Sequence, residues 1–336
     1  MINVLKQLSI AIFLLLSIGL LQIAIAQSSS MLVVPSTVPG SFAPSTPVLR
    51  FQFNGTGSLT PLVSIPETLV ADSSFAAFNK EGELFIANRH GNQGPASISR
   101  FKFDSNGNFI ANGTITGNSL EATHGLAFSP SGELFAANLS NGKISRFVFN
   151  ASGTAVANGT ITTPEPGRMG LAFSPQGELF VTDARITIHR YRFDPTTKAA
   201  IDNGSFTVAN ASRLHGITFN AQGDLFVADT DTNLISRFSF NNGNVSLVAT
   251  TFIPRSPFGV AFSASGELFV SSHAPCCGGI SRFTFDNNGN FVEGEFTSTG
   301  NLGGLAVFPG PTFAVSCQDL QDQVNTLTQQ NQALTA

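Results

Sequence analysis

Three observations predict an all-β fold, specifically a six-bladed β-propeller of four-stranded blades closed by N-terminal strands that complete the last blade. One composite phrase recurs along the chain, each copy divides into four short strand-like runs, and the last copy lacks an ending that the start of the chain supplies.

From the N-terminus, residues 1–26 read as a secretory signal peptide. Lys6 gives the positive n-region, residues 8–21 an apolar run, and Ala24-Ile25-Ala26 before Gln27 a small-residue cleavage site. Residues 27–47, rich in Ser and Pro, read as a flexible lead-in, so the propeller is expected over residues 48–316. No later run is apolar for long enough to span a bilayer. The expectation is an exported protein (secreted, periplasmic or on the cell surface) with no membrane span once the signal is removed.

The recurring phrase begins at Ala76, Leu126, Leu171, Ile217, Val260 and Leu305, at intervals of 50, 45, 46, 43 and 45 residues. Five copies continue through Gly82-Glu83, Gly132-Glu133, Gly177-Glu178, Gly223-Asp224 and Gly266-Glu267, then through Arg-Phe phrases at Arg100, Arg146, Arg190, Arg237 and Arg282 (Arg-Tyr at 190). Turn pairs such as Ser131-Gly132, Asn141-Gly142 and Ser152-Gly153 bound β-prone runs, and no 3.6-residue period is present. Four strands in about 45 residues is the signature of a propeller blade. The sixth copy stops after Phe308, and its missing phrase is Leu49-Arg50-Phe51-Gln52-Phe53. Joining the two ends closes the ring and removes open strand edges.

After the propeller, Leu320, Val324, Leu327, Asn331 and Leu334 in residues 317–336 form barely two heptads, a short helical or coiled-coil tail through which the chain could form a homo-oligomer. Charged residues are only 11% and the net charge is −4 with no basic cluster, which argues against nucleic acid as a partner. Phe occurs 32 times, Tyr once and Trp never, so phenylalanine is expected to fill the core. Three cysteines are too few for a disulfide framework.

Recurrence separates residues that build the ring from residues that use it. The phenylalanines and six arginines recur, so they are expected between blades, the arginines paired with the five recurring acids. The Asn-Gly and Ser-Gly pairs read as turns. The exceptions stand before the glycine that opens each first strand: His124 and His215 in two blades, Met169, Phe258 and Gly303 in three others, and Ser74 in the first, where Phe75 replaces the glycine. Second strands end in Asn88, Asn138, Asp183, Asp229 or Ser272. Because consecutive strands are antiparallel, both sets are expected to ring the channel mouth on one face. Asn88, Asn138, Asp183, Asp229 and Arg168 are the candidate binding residues. His124 and His215, with Asp183 or Asp229, are candidate ligands for Zn or another imidazole-binding metal. In "SSHAPCCGG", Cys276 and Cys277 could form a vicinal disulfide, or join His273 in holding a soft metal.

The phrases from Gly125 to Phe135 and from Gly216 to Asp229 resemble NHL repeats and the related regucalcin/gluconolactonase-type propellers, over residues 75–310. The resemblance implies a six-bladed propeller and a wide range of functions: calcium-dependent lactonases, a zinc-dependent amidating lyase and non-enzymatic binding propellers. The lactonases' carboxylate ligands find no match at Ser74, His124, Met169, His215, Phe258 and Gly303. The lyase's histidines match at His124 and His215 but not at Gly303. Three readings therefore stand: a non-catalytic propeller binding a small molecule or protein at the channel face, a metal-dependent lyase or hydrolase with Zn or Ca in the channel, or a purely structural surface protein assembled through the C-terminal coil.

Overall fold

The computed structural model describes residues 30–36, 46–53, 58–89, 95–241, 243–274 and 277–308, with only the backbone of 168 and 169. The expected signal peptide and the expected C-terminal helical tail lie outside the described residues. Blade one holds β4 (Ser73–Phe78), β5 (Leu84–Asn88), β6 (Ser97–Phe103) and β7 (Phe109–Ile115), paired in that order and antiparallel. Blade two repeats it with β8 (Thr123–Phe128), β9 (Leu134–Asn138), β10 (Lys143–Phe149) and β11 (Ala155–Thr162). Blade three runs from β12 (Arg168–Phe173) to β15 (Ala200–Thr207), and blade four from β16 (Leu214–Phe219) to β19 (Asn244–Phe252). Blade five, from β20 (Pro257–Phe262) through β22 (Gly279–Phe285), splits its outer strand into β23 (Phe291–Glu293) and β24 (Thr297–Ser298).

Blade six closes the ring as expected, with one correction. Its order is β25 (Ala306–Phe308), β1 (Ser30–Pro35), β2 (Val48–Phe53) and β3 (Thr60–Ile65). The expected lead-in over residues 27–47 thus contains a strand, and the propeller begins before residue 48. The reason is local: Met31-Leu32-Val33-Val34 is a β-prone run inside the Ser/Pro-rich composition, and it pairs with β2 on one side and β25 on the other.

One hydrophobic cluster fills each blade interface, including the closure, where Val33 and Val48 of blade six pack with Leu84 and Phe101 of blade one. A second-strand phenylalanine meets the first-strand phenylalanine of the next blade edge-on: Phe85–Phe128 at 4.9 Å, Phe135–Phe173 at 5.0 Å, Phe180–Phe219 at 5.0 Å and Phe226–Phe262 at 4.9 Å. Such edge contacts add about 0.5–1.5 kcal/mol each beyond the buried area.

The recurring arginines bridge the same interfaces. Arg100 forms a two-pronged ion pair with Glu83 of its own blade and lies over Phe85 and, in the next blade, Phe149. The acid pairs repeat as Arg146–Glu133, Arg190–Glu178, Arg237–Asp224 and Arg282–Glu267. A third partner joins in three blades, where Asn112, Asn158 and Asn203 donate to Glu83, Glu133 and Glu178. These Asn-Gly pairs are not turns. Each sits inside an outer strand at a β-bulge opposite the arginine, its glycine at positive φ (+91° at Gly113, +78° at Gly159, +83° at Gly204). Arg50 of blade six stands apart. By register Met31 takes the acid's place, and Arg50 reaches its sulfur at 3.9 Å and the carbonyls of Val63 and Gly107.

Candidate functional site at the channel mouth

A register shift interrupts the first ladder of blades one to five at one place, between Ser73 and Ala76, Thr123 and Leu126, Arg168 and Leu171, Leu214 and Ile217, and Pro257 and Val260. The residues that break the sequence repeat are the ones inside this bulge, and a bulge re-aims the side chain it carries. The glycine after the bulged residue permits close approach of the next blade. A Cβ at Gly170 would strike the His215 carbonyl, at Gly216 the Phe258 carbonyl at 2.5 Å, and at Gly304 the ring of Phe75.

The bulged side chains meet across the ring. His124 of blade two lies 5.8 Å from Phe258 of blade five and 6.4 Å from His215 of blade four, ring centre to ring centre. His215 lies 4.2 Å from Phe258, which also stacks on His273 at 5.0 Å. Phe75, which the repeat would make a glycine, reaches His124 at 4.8 Å and Phe258 at 5.6 Å. Contacts between opposite blades place these rings on the axis, where they form a floor across the channel. His124, His215, Phe75 and Phe258 are buried, and His273 is half-buried. Beneath the floor the inner strands enclose a cavity of about 440 Å³, lined by residues such as Leu126, Ala172 and Val260.

The hydrogen bonds fix how His215 is protonated. Thr230 Oγ1 donates its proton to the Pro257 carbonyl at 2.8 Å, so at 2.6 Å it accepts from His215 Nδ1–H. Nε2 of the neutral ring then carries the lone pair. Burial, and next the positive charges of Arg213 and His273, pull the pKa of His215 down to about 3. His273 is also lowered, first by burial and then by Arg89 and Arg213. Those two arginines form a rim, Arg89 paired to Asp72 at 2.7 Å and Arg213 to Asp231 at 3.5 Å.

The second-strand residues behave otherwise. Asn88 accepts from the Ala71 amide and donates to Ser97 and Ser99. Asn138 repeats this with the Glu121 amide, Lys143 and Ser145. Asp229 accepts from the amides of Ser212 and Arg213, and Asp183 from those of Arg185 and Thr187. All four side chains hold the loops of the mouth. The structure brings together His124 and His215 but gives the acids other work. Among the described residues no group of three His, Cys, Asp or Glu side chains is placed to hold a metal ion. Arg168 lies on β12 at the same face, with only its backbone described. Cys277 is exposed and Cys276 lies outside the described residues.

Sequence reasoning noted Phe75 as an exception but gave it no part in the site, and it missed Arg89 and Arg213. Phe75 carried a readable signal, a large ring where other blades keep glycine. The two arginines lie in mouth loops that do not repeat.

No protein-family model matches the chain, and no curated protein does. Solved structures share its fold. A periplasmic gluconolactonase of Pseudomonas aeruginosa superposes with a TM-score of 0.61 at 19% identity, over 81% of this chain and 83% of that one. A candidate 6-phosphogluconolactonase of Bacteroides fragilis gives 0.62 at 20% identity, over 82% and 83%. A catalytically inactive virginiamycin B lyase of Staphylococcus aureus, solved with quinupristin, gives 0.50 at 17%, over 80% and 85%. The chain therefore shares the propeller fold of lactonase-like and lyase proteins.

Proposed function

We propose that the protein is an exported, non-catalytic binding propeller that holds a small anionic molecule at its channel mouth. The observation that carries the reading is the geometry of the mouth, where His215 is buried against Phe258 with Nδ1–H held by Thr230, and Asp183 and Asp229 accept loop amides. An imidazole with a pKa of about 3 is a weak base at neutral pH, far from the range that suits general acid–base catalysis. Its neutral form offers Nε2 as a hydrogen-bond acceptor. Arg89 and Arg213, each paired to an aspartate, bring guanidinium groups close enough to the ring floor to act on His273. Asp183 and Asp229 already accept loop amides, which removes the obvious bases and metal ligands from the mouth. What remains suits recognition: flat rings below, guanidinium donors at the rim, and an imidazole acceptor between them.

The test is a thermal-shift and calorimetric screen with citrate, gluconate and inorganic phosphate, using the wild type and an Arg89→Ala/Arg213→Ala variant. Saturable, salt-sensitive binding to the wild type that is lost in the variant is expected. Absence of binding to every probe contradicts the reading.

A second reading, a lactonase or lyase, is favoured by the fold shared with a periplasmic gluconolactonase and a virginiamycin B lyase. Turnover of δ-gluconolactone that disappears in His124→Ala or His215→Ala would establish it over the first.

A further inference from the structure

Among the described residues, five of the six recurring arginines pair with an acid and Arg50 does not. In blade one, Glu83 accepts from Nε and Nη2 of Arg100, and Asn112 donates to the same carboxylate. Blade six supplies neither group. Arg50 pairs with Val33 as Arg100 pairs with Phe85, which sets Met31 where Glu83 stands. Phe51 pairs with Pro61 as Phe101 pairs with Ala111, which sets Leu62 where Asn112 stands. The guanidinium is nonetheless buried, Arg50 being 2% exposed. Its Nη1 donates to the Val63 carbonyl and its Nη2 to the Gly107 carbonyl of blade one, while Nε is buried with no partner among the described residues. A buried cation with an unused N–H costs stability.

In the acid's place stands a sulfur. Met31 Sδ lies 3.9 Å from Arg50 Nη2, and a thioether is only a weak acceptor. The Met31 side chain is half-buried and, with Phe103 and Gly107, lines a cavity of about 1090 Å³ on the face opposite the mouth. A small solute in that cavity therefore reaches Met31. Oxidation to the sulfoxide turns the weak acceptor into a polar oxygen on the same flexible side chain. In an apolar core such an oxygen disrupts packing, because nothing donates to it. Here a buried guanidinium with an unused N–H stands beside it.

We infer that Met31 is an oxidation site for peroxides, and that its sulfoxide takes the role of the missing acid by accepting a hydrogen bond from Arg50. A hydroperoxide supplies the oxygen. Its O–O bond breaks as the S–O bond forms, and the sulfur gives up two electrons. The alkoxide or hydroxide released takes the proton of the transferred hydroxyl and leaves as alcohol or water. The new bond falls at the closure of the ring: β1 carries Met31, and Arg50 of β2 holds the Gly107 carbonyl of blade one. Oxidation of Met31 therefore strengthens the fold, where methionine oxidation in a core ordinarily weakens it. The site is independent of what the mouth binds.

The test uses a Met169→Leu background, in which Met31 is the only methionine after Met1. The protein is treated with hydrogen peroxide, peptide mass spectrometry locates the added oxygen, and urea melts compare treated with untreated samples. Met31→Leu in the same background, treated identically, accounts for oxidation of the cysteines. One oxygen on Met31 is expected, with a higher urea midpoint, an unchanged slope and an unfolding constant about tenfold smaller, the scale of one charge-assisted hydrogen bond. In Arg50→Leu the same oxidation is expected to lower the midpoint, since the oxygen then lacks its donor. Without peroxide, Met31→Gln is expected to melt at higher urea than Met31→Leu, because its amide oxygen supplies Arg50 with an acceptor. The sign of the shift on oxidising Met31 decides the matter even where Arg50→Leu fails to fold. Resistance of Met31 to peroxide that oxidises it in the urea-unfolded chain overturns the proposal. So does an unchanged or lower midpoint after oxidation, an equal rise in Arg50→Leu, or a Met31→Gln variant no more stable than Met31→Leu.

Discussion

Removing one acid from an arginine pair should cost stability in proportion to how deeply that pair is buried. The five pairs form a natural series at the same position in the blade, with an aspartate in one and an asparagine also donating to the acid in three. Side-chain exposure of arginine and acid rises from 2% and 8% in Arg282–Glu267, through 9% and 9% in Arg100–Glu83, 9% and 12% in Arg146–Glu133 and 13% and 13% in Arg190–Glu178, to 18% and 15% in Arg237–Asp224. Glu→Gln, or Asp→Asn at 224, keeps the shape and removes the charge. The guanidinium then stays buried over its phenylalanine, as Arg282 does over Phe269, facing a neutral amide in place of that carboxylate. Breaking a fully buried pair costs about 3–5 kcal/mol because the surviving charge is uncompensated. As a pair becomes exposed, water screens that charge and the cost falls toward the ~1 kcal/mol of surface pairs. Urea denaturation of the five variants should therefore give losses that decrease in the order 267, 83, 133, 178, 224, with unchanged slopes. A second substitution, Arg282→Met on Glu267→Gln, should recover most of the loss, since an apolar side chain leaves no buried charge. Equal losses across the series, or a negligible loss at Glu267, would refute the reasoning.

Met31→Glu should raise the urea midpoint by supplying Arg50 with the acid that the other blades have; burial now holds the Arg50 pKa below its ordinary value, and Nε is buried without a partner. A lower midpoint would mean that packing of Met31 outweighs the charge. For His215 the folded pKa of about 3 lies below the unfolded value near 6.5, so the unfolded chain binds more protons between them. Stability from this residue is complete above pH 6.5 and declines as pH falls toward 3; in urea melts, His215→Gln should flatten the slope from pH 6.5 to 4. Phe75→Ala should destabilise by about 3–5 kcal/mol, the usual cost of removing a buried aromatic ring, and should open the floor of the channel.

The ring was legible because a need repeated in every blade leaves a repeated residue. Glu83, Arg100 and Phe85 have counterparts around the ring, so blade number, strand order and the pairing of arginine with acid could be read from spacing. The strand at Ser30–Pro35 escaped because Met31 replaces the acid that marks second strands elsewhere, and Ser and Pro flank it. The bulges at Asn112-Gly113, Asn158-Gly159 and Asn203-Gly204 escaped because a glycine at positive φ serves a turn and a bulge equally. At the mouth, the residues in the first-strand bulge were recognisable as exceptions, and His124 and His215 do meet. For Asn88 and Asp229, facing the channel or facing the preceding loop is a matter of side-chain direction at a strand end. Strand periodicity does not extend there, so their bonds to the amides of Ala71 and Ser212 left no trace in spacing.

The central functional claim, that the mouth binds without a metal, is tested most directly by metal content. Mature protein prepared without chelator would be analysed by plasma mass spectrometry beside a His124→Ala/His215→Ala variant. Metal far below one ion per chain in both samples is the expected result. Near-stoichiometric zinc or calcium in the wild type that vanishes in the variant would contradict it and make the lactonase or lyase reading the better one.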